Sequence, residues 1–272
     1  MRAPGLFLVI VVCGLCAPPC IAQSSQVQAK HAHVELLSSK QASNGILLGI
    51  HFTLEKGWHI YWVNPGDSGQ PPSLEWKLPA GSTAGDIQWP LPKRLQTSPT
   101  ITDYGYRDDV LLMVPARLPP TETSSRTEIA VDVKWLICRE VCLPERAHLA
   151  LSLPANGPEN SRAAQLFDRS KALLPHPWPE RWKLTAESGK DDFVLTITTG
   201  RRLAAAEFFP LDPGQIENAA AQRLEPTATG AKLFLKKSDL LLKPVPELRG
   251  ILVVGRRGYQ MRAPVLAQVA IK

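Results

Sequence analysis

From Glu128 to Leu153 the chain alternates in a way that only a pleated strand pair satisfies. Ile129, Val131, Val133, Trp135 and Ile137 put apolar side chains on odd positions, while Glu128, Asp132 and Lys134 put charge on even ones. Ala147, Leu149, Leu151 and Leu153 resume on odd positions against His148 and Ser152. Between the two runs lie Cys138 and Cys142, separated by Arg139-Glu140-Val141, which predicts a β-hairpin with the cysteines flanking its loop. Cys138 is even and belongs to the face turned away from the core.

The rest of the chain reads the same way. Twenty-five prolines and many short apolar runs separated by turn residues leave few places for helices. Strands are expected at 31–37, 46–55, 59–63, 73–77, 110–116, 128–137 and 147–153. Seven short strands in a stretch of this length predict an immunoglobulin-like β-sandwich. Ser161 to Leu174 carries one amphipathic helical pattern, and Pro175-His176-Pro177-Trp178-Pro179 is a stiff connector, so 156–181 reads as a helix and proline-rich linker. From 182 to 272 strands resume at 193–199, 204–209, 231–235, 250–254 and 259–263, with Gly255-Arg256-Arg257-Gly258 as a hairpin turn. The fold class expected is therefore all-β, a sandwich over 23–155 followed by a second, smaller β-sandwich-like domain.

Residues 1–22 have the form of an export signal. Arg2 supplies the positive start, Leu6 to Leu15 an apolar run, and Cys20-Ile21-Ala22 a small-residue cleavage site, with the mature chain beginning near Gln23. The run is too short for a bilayer, which takes ~20 residues, so a soluble periplasmic protein is expected. Cys13, Cys16 and Cys20 raise a lipoprotein alternative, but Ala17-Pro18-Pro19-Cys20 is a poor lipidation box. Removing the signal leaves Cys138 and Cys142 as the two remaining cysteines of five, in a compartment that oxidises thiols. The net charge of +6 is carried partly by scattered doublets, Arg201-Arg202, Lys236-Lys237 and Arg256-Arg257, without interleaved aromatics, so no nucleic-acid partner is expected.

Directly opposed strand residues have Cα atoms ~4.5–5.5 Å apart, inside the ~4.4–6.8 Å a disulfide requires. As a structural staple such a bond does little: a five-residue loop restrains the unfolded chain by ~2 kcal/mol, against ~4.7 kcal/mol for a loop of about 100 residues. As an exchanging bond it is well placed, with Arg139, Arg146 and Lys134 able to support a thiolate against Glu140 and Glu145. A redox-active pair is the reading favoured over a structural one.

Three segments in order, Gly57-Trp58-His59-Ile60-Tyr61-Trp62, Asp103-Tyr104-Gly105-Tyr106 and Trp135-Leu136-Ile137-Cys138-Arg139-Glu140-Val141-Cys142-Leu143-Pro144, resemble the periplasmic N-terminal domain of the thiol:disulfide interchange protein DsbD, in particular its suppressor-of-copper-sensitivity branch, ScsB. The resemblance covers roughly 30–155. It implies a domain whose cysteine pair takes electrons from a membrane-embedded donor and hands them to oxidised periplasmic thioredoxin-fold proteins, of disulfide isomerase or cytochrome c maturation type, without a bound cofactor. It further implies Cys138 and Cys142 as the catalytic pair, with Cys142 forming the mixed disulfide. Asp103-Tyr104-Gly105 would be a loop capping the bond, Tyr104 its aromatic shield and Asp103 a carboxylate that raises the thiol pKa. Trp58, Tyr61 and Trp62 match the aromatic strand near the site.

Two departures accompany the resemblance. The family's best-known member spaces its cysteines more widely, and full-length relatives continue into membrane and thioredoxin-like domains that this sequence lacks, so a separately encoded, DsbD-like membrane donor is expected.

Two other readings compete. Cys138 and Cys142 with a histidine, drawn from His31, His33, His59 or His148, would make a soft-metal copper site. Copper-delivering proteins with this spacing, however, place proline directly after the second cysteine, whereas Leu143 intervenes here. The other alternative is an interaction module with an inert disulfide.

Overall fold

A computed structural model describes residues 24–40, 45–119, 126–154 and 161–267. The proposed export signal, with Cys13, Cys16 and Cys20, lies outside the described residues.

Eleven strands make the first unit: β1 (Gln26–Ala29), β2 (Ala32–Lys40), β3 (Ile46–Leu54), β4 (His59–Gly66), β5 (Ser73–Lys77), β6 (Thr83–Ala84), β7 (Lys93–Ser98), β8 (Ile101–Arg107), β9 (Asp109–Arg117), β10 (Arg126–Cys138) and β11 (Cys142–Pro154). One sheet runs β1-β2-β3-β9-β6; the other runs β11-β10-β4-β8-β7, with β5 also paired to β10. The two inner faces meet in one core, where Phe52 and Trp135 pack edge to face. The expected parity of β10 holds: Ile129, Val131, Val133, Trp135 and Ile137 are all buried in that core.

α1 (Ser161–Lys171) is not an independent spacer. Phe167, Leu166 and Ala163 pack on Leu37, Leu47, Leu111 and Met113, the outer face of the β2-β3-β9 sheet. The helix thereby closes the second side of a sheet whose strands would otherwise expose leucines to water.

Seven further strands follow: β12 (Lys183–Ser188), β13 (Asp192–Thr198), β14 (Ala206–Pro210), β15 (Arg223–Pro226), β16 (Gly230–Lys236), β17 (Glu247–Val254) and β18 (Arg257–Ala267). They form one path, β14-β17-β18-β12-β13-β16-β15, in which β12 and β18 are parallel, around a core that includes Phe193, Leu195, Phe208, Leu233 and Leu252. The expected turn joins β17 to β18, with Gly255 in the left-handed region at φ 65°. Phe209 and Ile251 of this second unit pack into the core of the first.

Candidate functional site

The β10–β11 hairpin runs in unbroken register from Arg126↔Pro154 to Cys138↔Cys142. The cysteines close it as a disulfide with Cα atoms 4.2 Å apart, and the Arg139 N–H donates to the Val141 carbonyl at 3.2 Å to shape the three-residue loop. Cys138 also pairs with His59 at the start of β4, which in turn pairs with Arg107 of β8.

Strand parity then decides what faces the bond. Trp58, Ile60 and Trp62 point into the sandwich core with Tyr104 and Tyr106. His59, Tyr61, Asp103 and Cys138, on the alternate positions of the same strands, therefore share the opposite face. Cys138 lies on that face as the alternation predicts, yet only 2% of it is exposed. The reason is that the face is covered here: His59 stands across from Cys138, and the fully buried Tyr61 lies beside the disulfide, with its Oη 3.4 Å from Cys142 Sγ. Cys142 itself is exposed, so the two sulfurs have unequal access.

The cover is the segment Asn64–Gly69. Between Tyr61↔Gly105 and Gly66↔Asp103 four β4 residues answer one β8 residue, a bulge that turns the chain back over Tyr61. Gly69 lies against the Tyr61 ring so closely that a Cβ there would stand 2.1 Å from Cζ. Ser68 donates its N–H at 3.0 Å and its hydroxyl at 2.9 Å to Asp103 Oδ1. The Ser68 proton is committed to Asp103 and the disulfide sulfur carries none, so the Tyr61 hydroxyl is the donor in both of its contacts, to Ser68 Oγ and to Cys142 Sγ, each at 3.4 Å. Burial raises the Tyr61 pKa, which keeps that proton in place; burial likewise raises the Asp103 pKa, against the two Ser68 hydrogen bonds.

The structure corrects the role assigned to Tyr104. Asp103-Tyr104-Gly105 is not a loop but the middle of β8, hydrogen-bonded to β4 and β7 on either side. Neighbouring strand residues point to opposite faces, so Asp103 and Tyr104 cannot both address the disulfide. Tyr104 points into the core, packs on Trp62 and Phe209 and donates its hydroxyl to Asn218 Oδ1 at 2.8 Å. Tyr61 is the aromatic in contact with the sulfur.

Trp58 packs at the rim of the site, stacked on His31 at 3.8 Å with the Arg139 guanidinium 5.4 Å from its ring centre. The histidines do not gather around the cysteines: His31 bonds Glu55, His148 bonds Asp132, and only His59 adjoins the pair. Among the described residues no group of three His, Cys, Asp or Glu is placed to hold a metal ion. The sequence reading did not single out Asn64, Asp67, Ser68 or Asn218. For the first three the signal is the turn-rich run Asn64-Pro65-Gly66-Asp67-Ser68-Gly69 directly after the aromatic strand, which marks a loop but not what it covers, and nothing local marks Asn218.

His59 is 2% exposed, its Nε2 has no hydrogen-bond partner, and Asp103 Oδ2 is 3.8 Å away. Burial, and secondarily the Arg107 charge, push its pKa down to about 4. A histidine that binds its proton more weakly folded than unfolded contributes its full stability above about pH 6.5 and loses it as pH falls toward about 4. Up to about 3 kcal/mol of unfolding free energy should disappear across that window. Urea unfolding at about pH 7 and about pH 4.5 checks this, and His59→Asn should flatten that part of the profile.

Comparison with known proteins bears on this geometry. The family model for the N-terminal region of the thiol:disulfide interchange protein DsbD matches residues 23–154, a span that contains both cysteines, Tyr61 and Asp103. Residues 23–154 form a DsbD N-terminal-type domain. The crystal structure of the N-terminal periplasmic domain of ScsB from Proteus mirabilis superposes with a TM-score of 0.68 at 14% identity, covering 89% of this chain and 98% of that one, so the shared fold extends through the second β-unit. The yeast GGA1 GAE domain (10% identity, 46% of this chain and 94% of that one) and the periplasmic chaperone SfaE (6% identity, 86% and 100%) give TM-scores of 0.29 and 0.23, too low to carry an argument. No curated protein matches the sequence. The matched span carries the Cys138–Cys142 disulfide, in a domain type whose family model is that of a thiol:disulfide interchange protein. Among the described residues no helix is long and apolar enough to cross a membrane.

Proposed function

We propose that the protein is a periplasmic thiol:disulfide oxidoreductase that passes reducing equivalents from a membrane electron donor to oxidised periplasmic proteins of thioredoxin fold. In this reading residues 1–22 are removed on export, 23–155 carry the redox chemistry, and the β-unit from 182 onward supports it. The observation that carries the proposal is the asymmetry of the bond: an exposed Cys142 touching the Tyr61 hydroxyl, and a buried Cys138 behind it.

The chemistry follows from that asymmetry. A donor thiolate attacks Cys142 Sγ, the S–S bond breaks, and its electron pair leaves on Cys138 as a thiolate that takes up a proton. The donor's second thiolate then attacks the donor sulfur of the mixed disulfide and releases Cys142 as a thiolate, so the pair gains two electrons and the donor leaves as a disulfide. In the onward half, Cys142 thiolate attacks the acceptor's disulfide. Cys138 then resolves the mixed disulfide, the protein bond re-forms and the acceptor leaves reduced. The Tyr61 O–H stabilises Cys142 whenever it bears charge.

The test is capture. Cys138→Ala, with Cys142 intact, should accumulate a disulfide-linked periplasmic partner, visible by non-reducing electrophoresis and identified by mass spectrometry. No captured partner where control traps work, together with a reduction potential well below about −300 mV, would mark the bond as structural.

A further inference from the structure

We propose that the second β-unit sets the reactivity of the disulfide from a distance, with Asn218 as the positioning residue that holds the Asn64–Gly69 cover, and through it the Tyr61 hydroxyl, against Cys142. Asn218 sits in a turn after β14, is buried, and follows Ile216, which is anchored in the second core. Its amide orientation is fixed by its partners. Tyr104 donates its hydroxyl proton to Oδ1, and Nδ2 donates to the carboxylate Asp67 Oδ1 at 2.7 Å, which can only accept. The turn is held from the other side by the Arg94 guanidinium of β7, which donates to the carbonyls of Asn218 and Ala220.

Asp67 carries the connection onward. Its Oδ2 accepts the Thr102 N–H at 2.7 Å, and its own N–H donates to the Thr102 carbonyl at 3.2 Å, so the cover is pinned to β8 at the residue before Asp103. The next residue, Ser68, bonds Asp103 and meets the Tyr61 hydroxyl, and Gly69 closes on the Tyr61 ring. A second grip from the same unit holds the start of the cover: Asn64 Nδ2 donates to the Pro210 carbonyl at 2.8 Å. Contacts therefore run without a gap from Asn218 through Asp67, Ser68 and Tyr61 to Cys142. Through its grip on the cover at Asp67 and Asn64, the second unit gains a role at the disulfide.

The inference rests on Cys142 as the exchanging sulfur, and its test needs no partner protein. In the full exported chain carrying Cys138→Ala, the rate of Cys142 alkylation by iodoacetamide is followed against pH. The charged and titratable groups around the sulfur are Tyr61 and His59 from β4, Asp103 and Arg107 from β8, Asp67 from the cover, and Arg139 and Glu140 from the hairpin loop. Tyr61→Phe, which removes a hydrogen bond to the thiolate, should raise the alkylation midpoint by about one pH unit. Asn218→Ala should raise it by at least about half as much, and should add nothing in the Tyr61→Phe background. Asp67→Ala, which opens the same contact from the first domain, should reproduce the shift and keeps the test decisive should Asn218→Ala not fold. An unmoved midpoint in a folded Asn218→Ala or Asp67→Ala protein, or an equal shift with and without the Tyr61 hydroxyl, overturns the proposal. A failed partner capture leaves this result standing, and an unmoved midpoint leaves the capture result standing, so the two readings fail separately.

Discussion

Reduced Cys138→Ala protein will form a mixed disulfide with oxidised glutathione at Cys142, whereas reduced Cys142→Ser protein will react at Cys138 about 100-fold more slowly. The difference comes from access. Cys142 is exposed at the hairpin loop, while Cys138 is 2% exposed beneath His59 and the covered face. A thiol that reacts only after local opening is slowed by the opening equilibrium, and an opening free energy of about 3 kcal/mol corresponds to about 100-fold. Mass spectrometry over a time course reads both rates directly. Comparable rates in the two proteins would remove the asymmetry on which the order of attack depends.

Gly105→Ala should cost about 3 kcal/mol of stability and disturb the site at the same time. Gly105 lies opposite Tyr61 in the β4–β8 pair, and a Cβ added there would stand 2.1 Å from the Ile60 carbonyl oxygen and 3.2 Å from Tyr61 Cα. These are backbone atoms, which cannot rotate away as the end of a side chain can. The strands must part, and β4 carries both His59 and Tyr61. Urea midpoints of wild type and variant measure the cost, and a difference below about 0.5 kcal/mol would show that the pair yields more easily than its geometry indicates.

The sequence was most informative where side-chain parity met burial. The β10–β11 hairpin could be read to the residue because its odd positions are apolar and face one core. The strand expected at 73–77 is found there, and the helix expected over 161–174 forms at Ser161–Lys171. β7 and β8 escaped, and the cause lies in their composition: Lys93–Ser98 and Ile101–Arg107 are polar, turn-like stretches. In β8, Thr102 and Asp103 are buried all the same, because hydrogen bonds to Asp67 and Ser68 replace the water they lose. Hydrophobic periodicity does not register burial achieved in that way.

The family resemblance assigned the shield to Tyr104 by matching 103–105 to a capping loop, whereas those residues lie inside strand β8. A loop can present two adjacent residues to one point, whereas a strand sends them to opposite faces, and that geometry gives Asp103 to the disulfide side and Tyr104 to the core and Asn218. The sequence by itself determined the all-β class, the hairpin with Cys138 and Cys142 flanking its loop and the family they resemble, since all of these follow from local alternation and motif order. Only the tertiary structure decided which aromatic meets the sulfur, which cysteine is open to attack and why the second unit matters to both. Those depend on contacts such as Asn218 to Asp67, 151 positions apart in the chain, which no local pattern encodes.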